Sequence, residues 1–151
     1  MNKKIWIDIT NSPHVLFFEP LIKKLKKEGA EFFITTRDHQ QTIELLKQKK
    51  LKFEVVGHYG RQKVMKAFGL VLRSFFLWTK VFLKNIEFSI SHGSPYCSIA
   101  SEFAGIYNFW TLDGDKAKGV ISISMPFADK VVIPEVVPIK NYEKLGASRD
   151  K

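Results

Sequence analysis

Three short polar turns carry the residues of this chain that can do chemistry. Thr10-Asn11-Ser12-Pro13-His14 leaves the apolar run Ile5 to Ile9, His92-Gly93-Ser94-Pro95 leaves Phe88 to Ser91, and Asp113-Gly114-Asp115 leaves Tyr107 to Leu112. In the first two, Ser-Pro reads as a helix start, with Ser12 or Ser94 as the cap and the proline in the first position. A helix N-terminus at the end of a buried strand offers unpaired N–H groups and a positive dipole end, which suits a phosphate or another anion. His14, one step inside, is a candidate general base because imidazole titrates near neutrality. The plainer alternative is a histidine that only hydrogen-bonds its loop, and the same two choices apply to His92. Gly93 allows positive φ and close backbone approach to a ligand, or simply a turn. Asp113 and Asp115 could hold a metal or orient a sugar hydroxyl, although two aspartates around a glycine are also an ordinary turn.

The elements that must position these turns alternate in type. The spacing predicts strands at Ile5–Ile9, Glu31–Thr36, Lys52–Val56, Phe88–Ser91, Tyr107–Leu112 and Asp129–Ile133. Helices lie between them: from Val15 with an inward side of 15, 18, 21, 22 and 25, from an Asp38 cap, over 61–84, from the Ser94-Pro95 turn to Ala104, and over 117–125. Pro20 should kink the first helix or delay its start. Strand-helix alternation predicts an α/β fold, a Rossmann-like doubly wound parallel sheet. Ligands of such sheets bind outside the carboxyl ends of the strands, where the strand order reverses, and all three turns fall at that edge.

The helix over 61–84 is the most unusual element. At about 100° per residue, Val64, Ala67, Phe68, Val71, Phe75, Trp78 and Phe82 share one face, which should be core. Beside it lie Met65, Leu72, Phe76 and Leu83, and next to those a stripe of Lys66, Arg73, Lys80 and Lys84. No Asp or Glu occurs between Glu54 and Glu87. This second flank and its stripe are candidates for contact with an anionic membrane surface or a protein partner.

Composition narrows the rest. The 151 residues fit one domain, and a net charge of +9 biases the surface towards anions. The first turn lacks dinucleotide-fingerprint glycines and no Gly-Lys-Ser/Thr occurs, which argues against an NAD site or a P-loop, so no cofactor is expected. The basic residues form a stripe without base-edge readers, which argues against nucleic acid. His39 and His58 lack partners at ligand spacing, so no metal is assigned. The single cysteine, Cys97, excludes an internal disulfide and suits a reducing compartment. It has either a lowered pKa near a helix N-terminus or, better, the role of a small packed residue. The first apolar run stops at Asp8, too short for a signal peptide or a spanning helix. The expected location is the cytoplasm, with peripheral contact at the inner face of the membrane.

The stretches Ile5 to Phe18, Ile90 to Pro95, Ala128 to Pro134 and Lys144 to Ala147 resemble a family of uncharacterised archaeal and bacterial proteins, a domain of unknown function. That family in turn looks like GT-B glycosyltransferases and UDP-N-acetylglucosamine 2-epimerases. The resemblance implies two facing Rossmann-like halves, the first mainly holding the acceptor and the second mainly the nucleotide sugar. His14 then matches the histidine of the first loop and becomes the catalytic base. Asn11, Ser12, His92, Gly93, Ser94 and Asp113 become the substrate-binding set, the Asn11 and Ser94 turns donating to phosphate or sugar oxygens. Lys116 stands where a histidine commonly follows in the third loop, which weakens an acid or base role there. Residues 1–138 should form the N-terminal GT-B domain, and 139–151 a polar tail where the linker to a second domain begins. The chain is thus expected to be a truncated or split acceptor-side half, inactive alone. It would use a nucleotide sugar only with a complementary C-terminal half, and the 62–84 helix could dock a lipid-linked acceptor. The alternative is a non-catalytic binding module on an anionic membrane or a protein partner.

Overall fold

A computed structural model describes residues 3–58 and 63–146, leaving aside the side chains of His58 and of 63–68. Six strands, β1 (Lys4–Ile9), β2 (Glu31–Asp38), β3 (Glu54–His58), β4 (Phe88–His92), β5 (Tyr107–Thr111) and β6 (Lys130–Val132), form one sheet. Its order is β3-β2-β1-β4-β5-β6 and every neighbouring pair is parallel. This is the doubly wound arrangement expected from the alternation, and its order reverses between β1 and β4. Those are the strands that feed the first two polar turns.

Alternate residues of β1 face the two sides of the sheet, and each side has its own core. Ile5, Ile7 and Ile9 pack with Val15, Phe18 and Ile22 of α1 (Ser12–Lys27) and Leu46 of α2 (Gln40–Gln48). Trp6, on the other side, packs with Leu77 and Val81 of α3 (Lys63–Phe82) and with Cys97 and Ala100 of α4 (Pro95–Ala104). A third cluster joins Trp110 and Leu112 to Ile121 of α5 (Lys118–Ser124), Met125 and Tyr142. The 117–125 segment is therefore helical, as its place between strands required. Tyr142 lies on α6 (Ile139–Glu143) and its hydroxyl donates to Gly114 O at 2.8 Å, so the segment expected as a polar tail starts with a docked turn.

Three local expectations need correction. Asn11, not Ser12, occupies the N-cap of α1, and Ser12 is the first helical residue. His39, not Asp38, occupies the N-cap of α2, because β2 runs on to Asp38. Pro20 sits inside α1 without delaying its start, on the exposed side.

The larger correction concerns α3. Val71, Phe75 and Phe82 are exposed at 69%, 52% and 58%, and Trp78 is half-buried, whereas Arg73, Ser74, Leu77 and Val81 are buried. The inward face is turned by about a third of a helical turn from the aromatic face. Arg73 explains the rotation. Its two terminal nitrogens donate to both Asp8 oxygens, at 2.9 and 2.7 Å, and its Nε donates to Val56 O at 2.9 Å. A charge this deep needs its partner, so the helix turns to deliver it. Arg73 is accordingly no surface contact residue, contrary to its place in the basic stripe. Of the rest of that face, Met65, Lys66, Val64, Ala67 and Phe68 have side chains outside the described residues.

Asp8 gathers four elements around one carboxylate. Besides Arg73, it accepts from Thr35 Oγ1 at 2.8 Å and Ser94 Oγ at 2.7 Å, while Trp6 Nε1 donates to Thr35 Oγ1 at 2.8 Å. Burial alone would raise the Asp8 pKa, but the guanidinium and these hydrogen bonds outweigh it and hold the carboxyl below its ordinary value. Gly57, at φ +81°, makes room for the arginine, since a Cβ there would stand 3.0 Å from Arg73 Cδ. Replacing Asp8 by Ala would strand a buried guanidinium. Urea unfolding of Asp8→Ala should show a loss of about 3–5 kcal/mol; a loss under about 1 kcal/mol would contradict the assignment.

Candidate functional site

The ends of β1, β4 and β5 bring the three polar turns to one mouth. His14, half-buried in the first turn of α1, meets His92 edge to face with ring centroids 4.7 Å apart. Phe17, one turn further on, covers His92 from the side at 4.9 Å. Asp113, from the turn after β5, places Oδ1 3.6 Å from His92 Nε2. That is beyond a direct hydrogen bond, but close enough for the carboxylate to favour the tautomer with the proton on Nε2. His92 Nδ1 is buried and has no hydrogen-bond partner.

The electrostatics keep both imidazoles neutral. Burial lowers the His14 pKa to about 4, with a further push from His92 that the more distant Asp8 and Asp113 do not offset. Burial also lowers His92, and Asp113 opposes it without winning. A neutral His14, with Nδ1 3.4 Å from Thr10 Oγ1, can accept a proton, but at so low a pKa it is a weak base. An anion or carboxylate placed beside it would strengthen it.

The remaining sequence-derived residues divide clearly. Asn11 Oδ1 accepts from Arg37 at 2.6 Å, and Arg37 Nε also donates to Thr10 O at 2.8 Å, so β2 clamps the first turn. Ser12 Oγ lies 3.3 Å from Thr42 Oγ1 of α2, aligned towards the neighbouring helix. Gly93 has φ +59°, its N–H donates to Thr111 O at 2.9 Å, and an added Cβ would fall 2.9 Å from Leu112 Cδ1. It is thus a turn demanded by packing at the mouth. Ser94 departs from expectation: it is buried, donates to Asp8 and caps Cys97 N at 3.3 Å, so its hydroxyl is not offered to a ligand. Asp113 is exposed, but Asp115 ties down Asn141. Among the described residues no group of three or more His, Cys, Asp or Glu could hold a metal ion. Cys97 is buried and burial pushes its thiol pKa up, which settles it as a packed residue.

Of the contact set, Leu72 and Phe76 on α3 and Leu83 just past its end are exposed, at 38%, 49% and 83%. Lys80 and Lys84 both pair with Glu54, at 3.0 and 3.7 Å. Among the described residues no helix is long and apolar enough to cross a membrane.

Sequence reasoning missed Asp8, Arg37 and Phe17 as parts of the mouth and its support. One signal was available for Asp8, a charge inside the otherwise apolar Ile5–Ile9 run. Phe17 gave none, since its period on α1 points outward.

Because the fold holds both imidazoles below 6.5, the unfolded chain takes up their protons first; their contribution to stability is present above that value and falls as pH drops towards 4. Proton NMR of the ring Cε1–H should give His14 a midpoint near 4. A midpoint at the ordinary value of about 6.5 would contradict this environment.

Comparison with known proteins agrees with this architecture. The model of a family described as protein of unknown function, DUF354, matches residues 3–151. The uncharacterized protein MJ0665 of Methanocaldococcus jannaschii is 27% identical over 146 residues, covering 97% of this chain and 43% of its own length. Among solved structures, a protein from Listeria monocytogenes assigned as a UDP-N-acetylglucosamine 2-epimerase superposes with a TM-score of 0.77 at 12% identity, over 99% of this chain and 43% of its own. MurG of Acinetobacter baumannii gives 0.75 at 15% identity, over 90% and 43%. Identities this low show the fold, that of one Rossmann-like half of the GT-B glycosyltransferases and UDP-N-acetylglucosamine 2-epimerases. The chain spans less than half the length of the relatives it matches. With the family model covering nearly all of it, this chain belongs to the DUF354 family.

Proposed function

We propose that this domain is the acceptor-side half of a GT-B-like glycosyltransferase or sugar-nucleotide epimerase, working with a nucleotide-sugar-binding half and inactive towards a nucleotide sugar without it. The observation that carries the proposal is the convergence of His14, His92 and Asp113 at the strand-order reversal of a sheet whose solved likenesses include UDP-N-acetylglucosamine 2-epimerases. His14 is the base beside the acceptor hydroxyl. It takes the hydroxyl proton as the acceptor oxygen bonds to the sugar carbon and the nucleotide diphosphate leaves with the electron pair of the broken bond. The phosphates of a donor held by the facing half are the anion that raises its pKa towards neutrality. His92 and Gly93 shape the floor of the cleft, and Asp113 reaches a sugar hydroxyl from the third turn. Phe17, about half exposed beside His92, and its chain neighbour Leu16, also about half exposed, are where the second half closes. The acceptor can be lipid-linked, given the apolar outer face of α3, and the protein then works in the cytoplasm at the inner face of the membrane.

A second reading, a non-catalytic module that binds an anionic membrane or a protein partner, is favoured by the same α3 face. The two are separated by adding the remaining part of a full-length relative, such as the M. jannaschii protein, in a fusion or as a mixture. UDP-N-acetylglucosamine hydrolysis, transfer or epimerisation should appear only in the combined form. His14→Ala should then lower kcat by about 10²–10⁴-fold while leaving the circular dichroism unchanged. A folded, associated combination with no activity, or a His14→Ala variant as active as the parent, would overturn the catalytic proposal.

A further inference from the structure

The rotation of α3 leaves an apolar surface that the expected packing would have hidden. Val71, Phe75 and Phe82 stand 69%, 52% and 58% exposed, and Leu72, Phe76 and Leu83 continue the surface around the helix. Between α3 and α4 this surface folds into a groove of about 400 Å³, lined almost wholly by apolar atoms of Leu70, Val71, Phe75, Trp78, Ile99 and Phe103. Phe103 is 72% exposed at its far wall. Trp78 crosses the floor, its Nε1 donating to Phe103 O at 3.2 Å. A contiguous patch of this kind marks an interaction surface.

Charge chooses the occupant. Residues 55–86 hold Arg61, Lys63, Lys66, Arg73, Lys80 and Lys84 and no Asp or Glu. Arg73 is spent on Asp8, while Lys80 and Lys84 stand half-exposed beside Phe76 and Leu83 with one carboxylate, Glu54, between them. The only acid on α3, α4 or α5 is Glu102. Aromatic and aliphatic side chains bordered by lysines suit a bilayer interface, where hydrocarbon takes the former and head-group phosphate the latter. Protein interfaces, by contrast, are depleted in lysine.

We propose that the outward face of α3, with the α3–α4 groove, seats this domain on an anionic bilayer surface. The face lies on a helical layer rather than at the strand ends, so the seat is separate from the His14–His92 mouth and holds whether or not that mouth is catalytic. Lysines bring the domain to the surface and the Phe75, Phe82 and Phe103 rings enter the acyl boundary.

Trp78 is a built-in reporter, because Trp6 and Trp110, the other two tryptophans, are wholly buried. The full chain is sedimented with vesicles of phosphatidylglycerol and phosphatidylcholine or of phosphatidylcholine alone, and its fluorescence followed with acyl chains brominated near the head group. Binding at least tenfold tighter to the anionic vesicles is expected, with quenching that Trp78→Phe abolishes. Val71→Gln with Phe75→Gln, both exposed and so compatible with folding, should weaken binding at least about tenfold, as the lost burial of one large apolar side chain alone implies. Equal binding to neutral vesicles, absence of quenching, or a stable dimer in solution that covers Trp78 would each overturn the proposal.

Discussion

The buried Asp8–Arg73 pair is the constraint on which the rest of this domain depends. A carboxylate in the central strand is tolerable only if its charge is met, and here a bidentate guanidinium and two hydroxyl groups meet it. Each partner comes from a different element. Thr35 ties β2 to β1, Arg73 ties α3 to both β1 and the Val56 carbonyl of β3, and Ser94 ties the start of α4. Hydrophobic contact alone would let α3 roll on the sheet; the guanidinium fixes its rotation. The same carboxylate holds the N-cap of α4 and, through it, the turn that carries His92.

Two separate surfaces follow from that fixed geometry. At the strand ends, the turn held by Ser94 sets His92 against His14, and Arg37 clamps the opposite wall through Asn11 and Thr10. Burial at this mouth lowers the pKa of both imidazoles. An anion brought beside His14 would raise its pKa again. On the helical layer, fixing Arg73 inward turns the aromatic side of α3 outward, and the groove against α4 is the consequence. One ion pair thereby shapes both the cleft and the outer face.

Much of this was legible in the sequence, and the failures share a cause. Strand-helix alternation gave the doubly wound sheet, and the polar turns at 10–14, 91–95 and 113–115 met at one edge because parallel strands put their carboxyl ends there. The inward side of α1 was legible because its buried positions are all apolar. On α3 the same periodicity argument failed: its buried arc contains Arg73 and Ser74, which hydrophobicity counts as surface, while its aromatic arc faces outward. Ser94 misled in a related way, since a serine before Pro95 is a good cap in any context and nothing local shows that its hydroxyl also serves a carboxylate 86 residues away. Long-range polar pairing leaves no period in a sequence. The lone charge of Asp8 inside an apolar strand was the one hint of it.

We propose that the mouth at the carboxyl ends of β1, β4 and β5 faces a second, nucleotide-sugar-binding half. Amide hydrogen exchange of this domain, alone and after addition of the remaining part of a full-length relative, tests it most directly. Slowed exchange is expected in Asn11–Phe17, His92–Tyr96 and Asp113–Asp115, deepening when UDP-N-acetylglucosamine is added, with α3 unchanged. Slowed exchange confined to α3 and α4, or to the opposite edge of the sheet around Lys4 and Glu31, would contradict it.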